Sequence, residues 1–150
     1  MHFVTGGAFH GKKQWVIDHY QINDYQINET TNYLWFNGYK SANKYFQVMI
    51  ELENKQLLVI EAVNEVIFEM LKSEASFPAF ENWLQEILTW EQNGVERQVV
   101  FIGTDVGKGI VPIEKEQRLI RDEVGRCFQL LAKKATNVSL IWYGLQQSLK

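Results

Sequence analysis

One cysteine, Cys127, stands among 150 residues. That excludes an internal disulfide and a cysteine zinc cluster, and it suits a reducing compartment. Its place in a helical pattern makes Cys127 a small packed side chain. No apolar run approaches the length of a membrane span. No charge of one sign dominates either: the formal net charge is −3, and lysines and arginines are scattered, so nucleic acid is not an expected partner. Internal repeats and low-complexity segments are missing, and no signal-peptide pattern precedes the first strand, from which a cytoplasmic protein is expected. Hydrophobic residues make up 46% and charged residues 22%. Such a chain is globular, long enough for one sheet with helices on both faces and cramped for two domains. We expect a single nucleotide-binding domain over residues 1–150, for the following reason.

A short apolar strand, Phe3–Thr5, runs into Gly6-Gly7-Ala8-Phe9-His10-Gly11-Lys12. The spacing GxxxxGK is that of the phosphate-binding P-loop, in which small residues turn backbone N–H groups towards a polyphosphate and the next helix presents its positive end. Gly6 to Lys13 are thus the candidate nucleotide-binding residues, with Lys12 reaching the outer phosphates. The alternative is a glycine-rich turn that merely resembles a cradle. A P-loop next asks for Ser or Thr, whose hydroxyl ligates Mg2+, and this chain has Lys13. Lys13 is either a second cation for the phosphates or a solvated lysine where a metal ligand has been lost. Two lysines on the first turn of a helix face an already positive dipole, which favours a bound anion. No neutralising acid is expected beside them.

Strand-like and helical runs alternate along the chain. Strands are expected at Phe3–Thr5, Tyr33–Phe36, Leu57–Glu61, Gln98–Gly103 and Val138–Tyr143, each apolar on successive residues as in strands buried on both faces. Helices are expected near Lys12–Tyr20, Val63–Ser73, Phe80–Asn93 and Glu114–Ala135. The last carries Ile120, Val124, Cys127, Phe128, Leu131 and Ala135 on one face. The alternation argues for an α/β fold with a mainly parallel, doubly wound sheet and ligands at the carboxyl ends of the strands. In Gln21 to Asn54 only the Tyr33–Phe36 strand is assigned. Trp83, Leu84, Ile87 and Leu88 read as core. Trp15, one turn beyond the loop, either packs under its helix or flanks a base.

Strand Leu57–Glu61 ends on an acid. Glu61, at the end of a strand expected beside the phosphate loop, is a candidate holder of Mg2+ or its water shell; the alternative is a glutamate facing solvent. A second constellation follows the fourth strand: Thr104-Asp105-Val106-Gly107-Lys108-Gly109-Ile110-Val111-Pro112, then Arg118, Arg121-Asp122, Gly125-Arg126, Gln129 and Ala132, with Gly144 and Lys150 near the end. Gly107 and Gly109 allow close backbone approach and Pro112 stiffens the exit, so the loop can close over a ligand. Arg118 and Arg121 share a helix face and can reach phosphate, or else lie exposed with Asp122 pairing Arg118. Arg126 reads as an exposed residue.

Both ends together, Val4-Thr5-Gly6-Gly7-Ala8 through Gly11-Lys12 and Asp105 through Gln129, resemble the adenosylcobinamide kinase / adenosylcobinamide-phosphate guanylyltransferase family of cobalamin assembly. There, corresponding segments read V-T-G-G-A-x-x-G-K, S-N-E-V-G-x-G-I-V-P and R-x-F-R-D-x-x-G-x-x-N-Q. The resemblance implies a P-loop NTPase of RecA-like, three-layer build, with ATP or GTP and Mg2+ as cofactors. It also implies a nucleotide and a corrinoid as binding partners and a homo-oligomer. Carried over by position, Lys12, Glu61 and Asp105 become the catalytic candidates, Glu61 the metal ligand, and Gly107, Gly109, Arg118 and Arg121 the phosphate or substrate loop. Glu61-Ala62-Val63-Asn64 stands where the family has D-C-L-T, and Asp105 where it has Glu. The family transfers GMP through a histidine after the second strand. From Phe36 to Leu57 this chain has none: His2, His10 and His19 all lie near the N-terminus. The expected activity is therefore phosphorylation of the aminopropanol hydroxyl of adenosylcobinamide without guanylyl transfer, or binding without catalysis.

Overall fold

A computed structural model of the chain describes residues 1–22, 32–72, 77–107 and 112–150. Strands β1 (His2–Gly6), β2 (Tyr33–Asn37), β3 (Leu57–Glu61), β4 (Gln98–Thr104), β5 (Asn137–Trp142) and β6 (Leu145–Ser148) form one sheet in the order β2-β3-β4-β1-β5-β6. The first five are parallel, and β6 runs antiparallel on β5. Helix α1 (Lys12–His19) follows β1. Short helical turns α2 (Gly38–Ser41), a 3-10 segment (Ala42–Gln47) and α3 (Val48–Glu51) join β2 to β3. Helices α4 (Val63–Lys72) and α5 (Phe77–Gln92) precede β4, and α6 (Lys115–Lys134) connects β4 to β5.

Alternation along each strand divides the apolar residues between two faces. Phe3, Leu58, Ile60, Val99 and Phe101 pack with Val66, Ile67, Phe80, Leu84, Ile87, Val124, Cys127 and Leu131 of α4, α5 and α6. Val4, Val59, Val100, Ile102 and Ile141 pack with Val16 of α1 and with Ile22 on the other face, at whose edge lie Trp15, Tyr20, Tyr33 and Trp35. Both faces of β3 and β4 are thus dry, which is why their sequences are unbroken apolar runs rather than alternating ones. The result is the three-layer α/β arrangement that the alternation of elements implies. No helix of the described residues is long and apolar enough to cross a membrane.

Two details differ from the expectations. The final strand does not extend to Tyr143: β5 stops at Trp142, the chain reverses at Tyr143-Gly144, and β6 returns along β5 with Trp142 opposite Leu145. All four residues of β6 are exposed, so it carries no hydrophobic pattern from which a strand could be read. Between Gly38 and Glu51 the turns are too short to show a helical period. Glu61 is on a strand separated from β1 by β4. The alternatives for Trp15 are resolved in favour of packing: its ring stacks on His19 at 4.6 Å and meets His2 edge-on at 5.8 Å.

Candidate functional site

Because β1 to β5 are parallel, their carboxyl ends share one edge, and the register aligns Gly6 with Thr104, Ile102 with Glu61, and Glu61 with Asn37. The loop after β1 is therefore carried to the same edge as the acid that ends β3. Gly6 is required at the exit of β1: its φ is 153°, and a Cβ there would lie 2.3 Å from Ile141 O. Gly11 caps α1 in a left-handed conformation.

Lys12 opens α1 and folds back over the loop, where Nζ donates to Gly6 O at 3.2 Å and Gly7 O at 2.7 Å. The residue is buried, and burial lowers its pKa below the usual lysine value. A desolvated ammonium whose partners are neutral carbonyls is stabilised strongly by an anion brought beside it. Ala8, Phe9, His10, Gly11, Lys12 and Lys13 line one side of a cavity of about 480 Å³; Tyr39, Glu61, Ala62, Ile102 and Thr104 complete it. One loop donor is spent internally, since Gly7 N–H donates to His10 Nδ1 at 3.1 Å. Nδ1 then has to be the unprotonated ring nitrogen, so its 3.2 Å approach to Ile141 O is a contact and not a second hydrogen bond.

Glu61 is buried in the cavity wall and does not face open solvent. Its Oε2 accepts from Trp35 Nε1 at 2.8 Å and Asn37 Nδ2 at 3.1 Å. Lys13 Nζ lies 3.9 Å from the same oxygen and 5.4 Å from the centre of the Trp35 ring. The expectation that no acid neutralises the two lysines is thus corrected: sheet register brings Glu61 to Lys13 across 48 residues of chain. The corrected pair bears on the metal. Mg2+ is a hard ion that demands an octahedral oxygen shell. Among the described residues the cavity offers one carboxylate, already engaged by two donors and an ammonium. No described cluster of three or more His, Cys, Asp or Glu could hold a metal. This donor set does not fit Mg2+ held as a hydroxyl-bearing P-loop holds it.

Asp105 is placed near the loop through its backbone, N–H donating to Gly6 O at 3.1 Å. Its carboxylate Oδ1 accepts from Gly107 N at 2.9 Å, which shapes the turn at the start of the glycine segment. Arg121 Nη2 donates to Gly107 O, and Arg118 Nη1 donates to Pro112 O at 3.0 Å and also to Ile113 O. The two arginines thus hold Gly107 on one side of the segment and Pro112 and Ile113 on the other from α6. Gly109, with Lys108, Ile110 and Val111, lies outside the described residues. Arg126 pairs with Glu123 at 3.0 Å on the exposed face of α6.

Sequence reading missed Trp35, Asn37 and Tyr39, and named Thr104 without giving it a role. Asn37 and Thr104 are the last residues of β2 and β4, so a search for polar residues at every strand end would have found both. The indole of Trp35 reads as core in any apolar run; only the pairing of β2 with β3 turns its N–H onto a carboxylate. Asn64 accepts from Thr104 N at 3.0 Å and fastens α4 to the end of β4.

Comparison with known proteins places this geometry in context. The model of one protein family, described as Cobinamide kinase / cobinamide phosphate guanyltransferase, matches residues 34–149. The match starts at β2 and takes in Glu61, the glycine segment and α6, while the loop Gly6–Lys13 lies before it. No curated protein matches the chain significantly.

Proposed function

Because the chain belongs to the cobinamide kinase / cobinamide phosphate guanyltransferase family, a P-loop NTPase family of cobalamin biosynthesis that uses nucleotide substrates, we propose that it binds ATP or GTP in the loop Gly6–Lys13 and phosphorylates the aminopropanol hydroxyl of adenosylcobinamide. The observation that carries this reading is Lys12, a buried ammonium held by the carbonyls of its own loop at the rim of a cavity with a buried carboxylate opposite. Lys12 would draw charge off the transferring phosphoryl group, and Lys13 would add to the neutralisation. Glu61, oriented by Trp35 and Asn37, is the carboxylate available to an acceptor hydroxyl. Asp105, Arg118 and Arg121 would support the site by fixing the glycine segment, with a corrinoid as the substrate it covers.

Guanylyl transfer by the family's histidine route is proposed to be absent. The turns between β2 and β3 that occupy the corresponding stretch carry no histidine; His2 is buried on β1 against Ser139 of β5, and His19 stacks on Trp15. Incubation of the pure protein with labelled GTP, followed by denaturation, should leave no acid-labile label. Incubation with labelled ATP or GTP and adenosylcobinamide should yield the phosphorylated corrinoid, and a complete lack of product with nucleotide still bound would remove the kinase reading.

A second reading, nucleotide binding without turnover, is favoured by the Lys13–Glu61 pair. An ammonium there competes with a metal for Glu61, the only acid of the cavity wall among the described residues. The same assay separates the two readings.

A further inference from the structure

The loop accounts for the phosphates of a nucleotide and leaves its base without a seat, while one rim of the loop carries aromatic surface that the fold does not use. Phe9 is fully exposed, Tyr143 is 71% exposed and Trp142 is 52% exposed. Phe9 (φ 60°) and Tyr143 (φ 48°) both occupy the left-handed region, which bulky residues rarely adopt. Tyr143 and Gly144 form a two-residue hairpin turn with positive φ at both positions, a turn whose first position favours Asn, Asp or Gly. A tyrosine there neither suits the backbone nor gains burial.

The patch is fastened to the phosphate loop. The His10 ring lies 4.8 Å from the Trp142 ring and 4.6 Å from the Tyr143 ring, and Gly144 N donates to His10 O at 2.8 Å. It is also on the correct side. The cavity runs from the loop towards Glu61 on β3, whereas β5 flanks β1 on the side away from β4 and β3. A nucleotide whose outer phosphates face Glu61 leads its nucleoside towards the β5–β6 turn.

We propose that Tyr143, with Trp142, forms a stacking platform for the purine base of a nucleotide held in the loop. The proposal rests on the nucleotide-binding reading above. Flat aromatic faces stack on any base, so the platform gives affinity for purine nucleotides without choosing between ATP and GTP.

Calorimetric titration of the full chain with ATP, GTP and inorganic tripolyphosphate tests it. Tyr143→Asn suits the turn better than the native residue, so the variant should fold at least as well. It should weaken ATP and GTP about ten-fold, the scale of one lost stacking contact, and leave tripolyphosphate within about two-fold. Tyr143→Phe should restore nucleotide affinity. Unchanged ATP affinity in Tyr143→Asn overturns the platform and leaves the loop reading intact. Equal losses for ATP and tripolyphosphate overturn it too, and an accompanying change in oligomeric mass would assign the patch to contact between copies. If the native chain binds neither ligand, the loop reading fails and the platform with it.

Discussion

At Lys13 an ammonium, a carboxylate and an indole meet at the mouth of the cavity. Lys12 beside it differs in kind: it is buried, and it is bonded to the loop itself. Removing the Lys12 ammonium takes away a charge-assisted contact in a desolvated place, so Lys12→Ala should weaken ATP or GTP binding by about ten-fold or more in a titration. Lys13 should govern the response to metal. With its ammonium in place, nucleotide affinity should change by no more than about two-fold when Mg2+ is added or chelated. Lys13→Ser replaces a repelling cation by a hydroxyl ligand and frees Glu61 from its ion pair. The variant should gain a Mg2+ dependence of about ten-fold and a higher rate of any phosphoryl transfer. Strong Mg2+ dependence and brisk turnover in the native chain, both lost in Lys13→Ser, would show that Lys13 serves the metal site.

Among the elements, β4 carries the most structural weight, lying between β1 and β3 with both faces covered. Phe101 at its centre is fully buried and meets the Trp83 ring of α5 edge-on at 6.0 Å. Phe101→Ala should therefore cost about 3–5 kcal/mol in denaturant unfolding, as large-to-small changes in a rigid core do. The effect should reach the site, since the end of β4 holds Asn64 through Thr104 N and Gly6 through Asp105 N. At α6 the expectation from spacing was correct for packing: Val124, Cys127, Leu131 and Ala135 are buried. Burial pushes the Cys127 thiol up to about 12, with Glu123 adding to the shift, so it should resist alkylation in the native state. The polar side of the same helix was less legible. Helical spacing shows that Arg118 and Arg121 share a face, and it cannot show that their partners are the carbonyls of the preceding segment, because those carbonyls have no signature in the residue types.

At the scale of the molecule, the two apolar layers share one sheet, and we propose that the chain is a single domain that unfolds in one cooperative step. His2 links that step to pH. Its Nδ1 lies 2.8 Å from Tyr20 Oη and its Nε2 2.9 Å from Ser139 Oγ. Burial, with the nearby charges of His19 and the N-terminus, lowers its pKa from 6.5 to about 4. The unfolded chain binds this proton more readily than the folded one. The His2 contribution is therefore complete above pH 6.5 and is lost as the pH falls towards 4, by roughly 3 kcal/mol at most. Unfolding free energies of the native chain and of His2→Gln between pH 7 and 4 should show a shallower slope in the variant.

Residue order alone determined the alternation of strands and helices, the glycine-rich turn that leads from β1 into α1, the core face of α6 and the family resemblance. Each of these is written in local spacing: unbroken apolar runs where both faces are dry, a helical period where one face is wet, and GxxxxGK where a backbone must turn. Tertiary structure alone decided that Lys13 meets Glu61, that Trp35 and Asn37 orient that carboxylate, that the arginines of α6 grip the glycine segment, and that a polar tail returns as β6 to set aromatic rings beside the loop. These depend on which strands pair and in what register. Pairing between segments far apart in the chain is chosen by the sum of buried area over the whole sheet, a quantity that no single stretch of sequence carries.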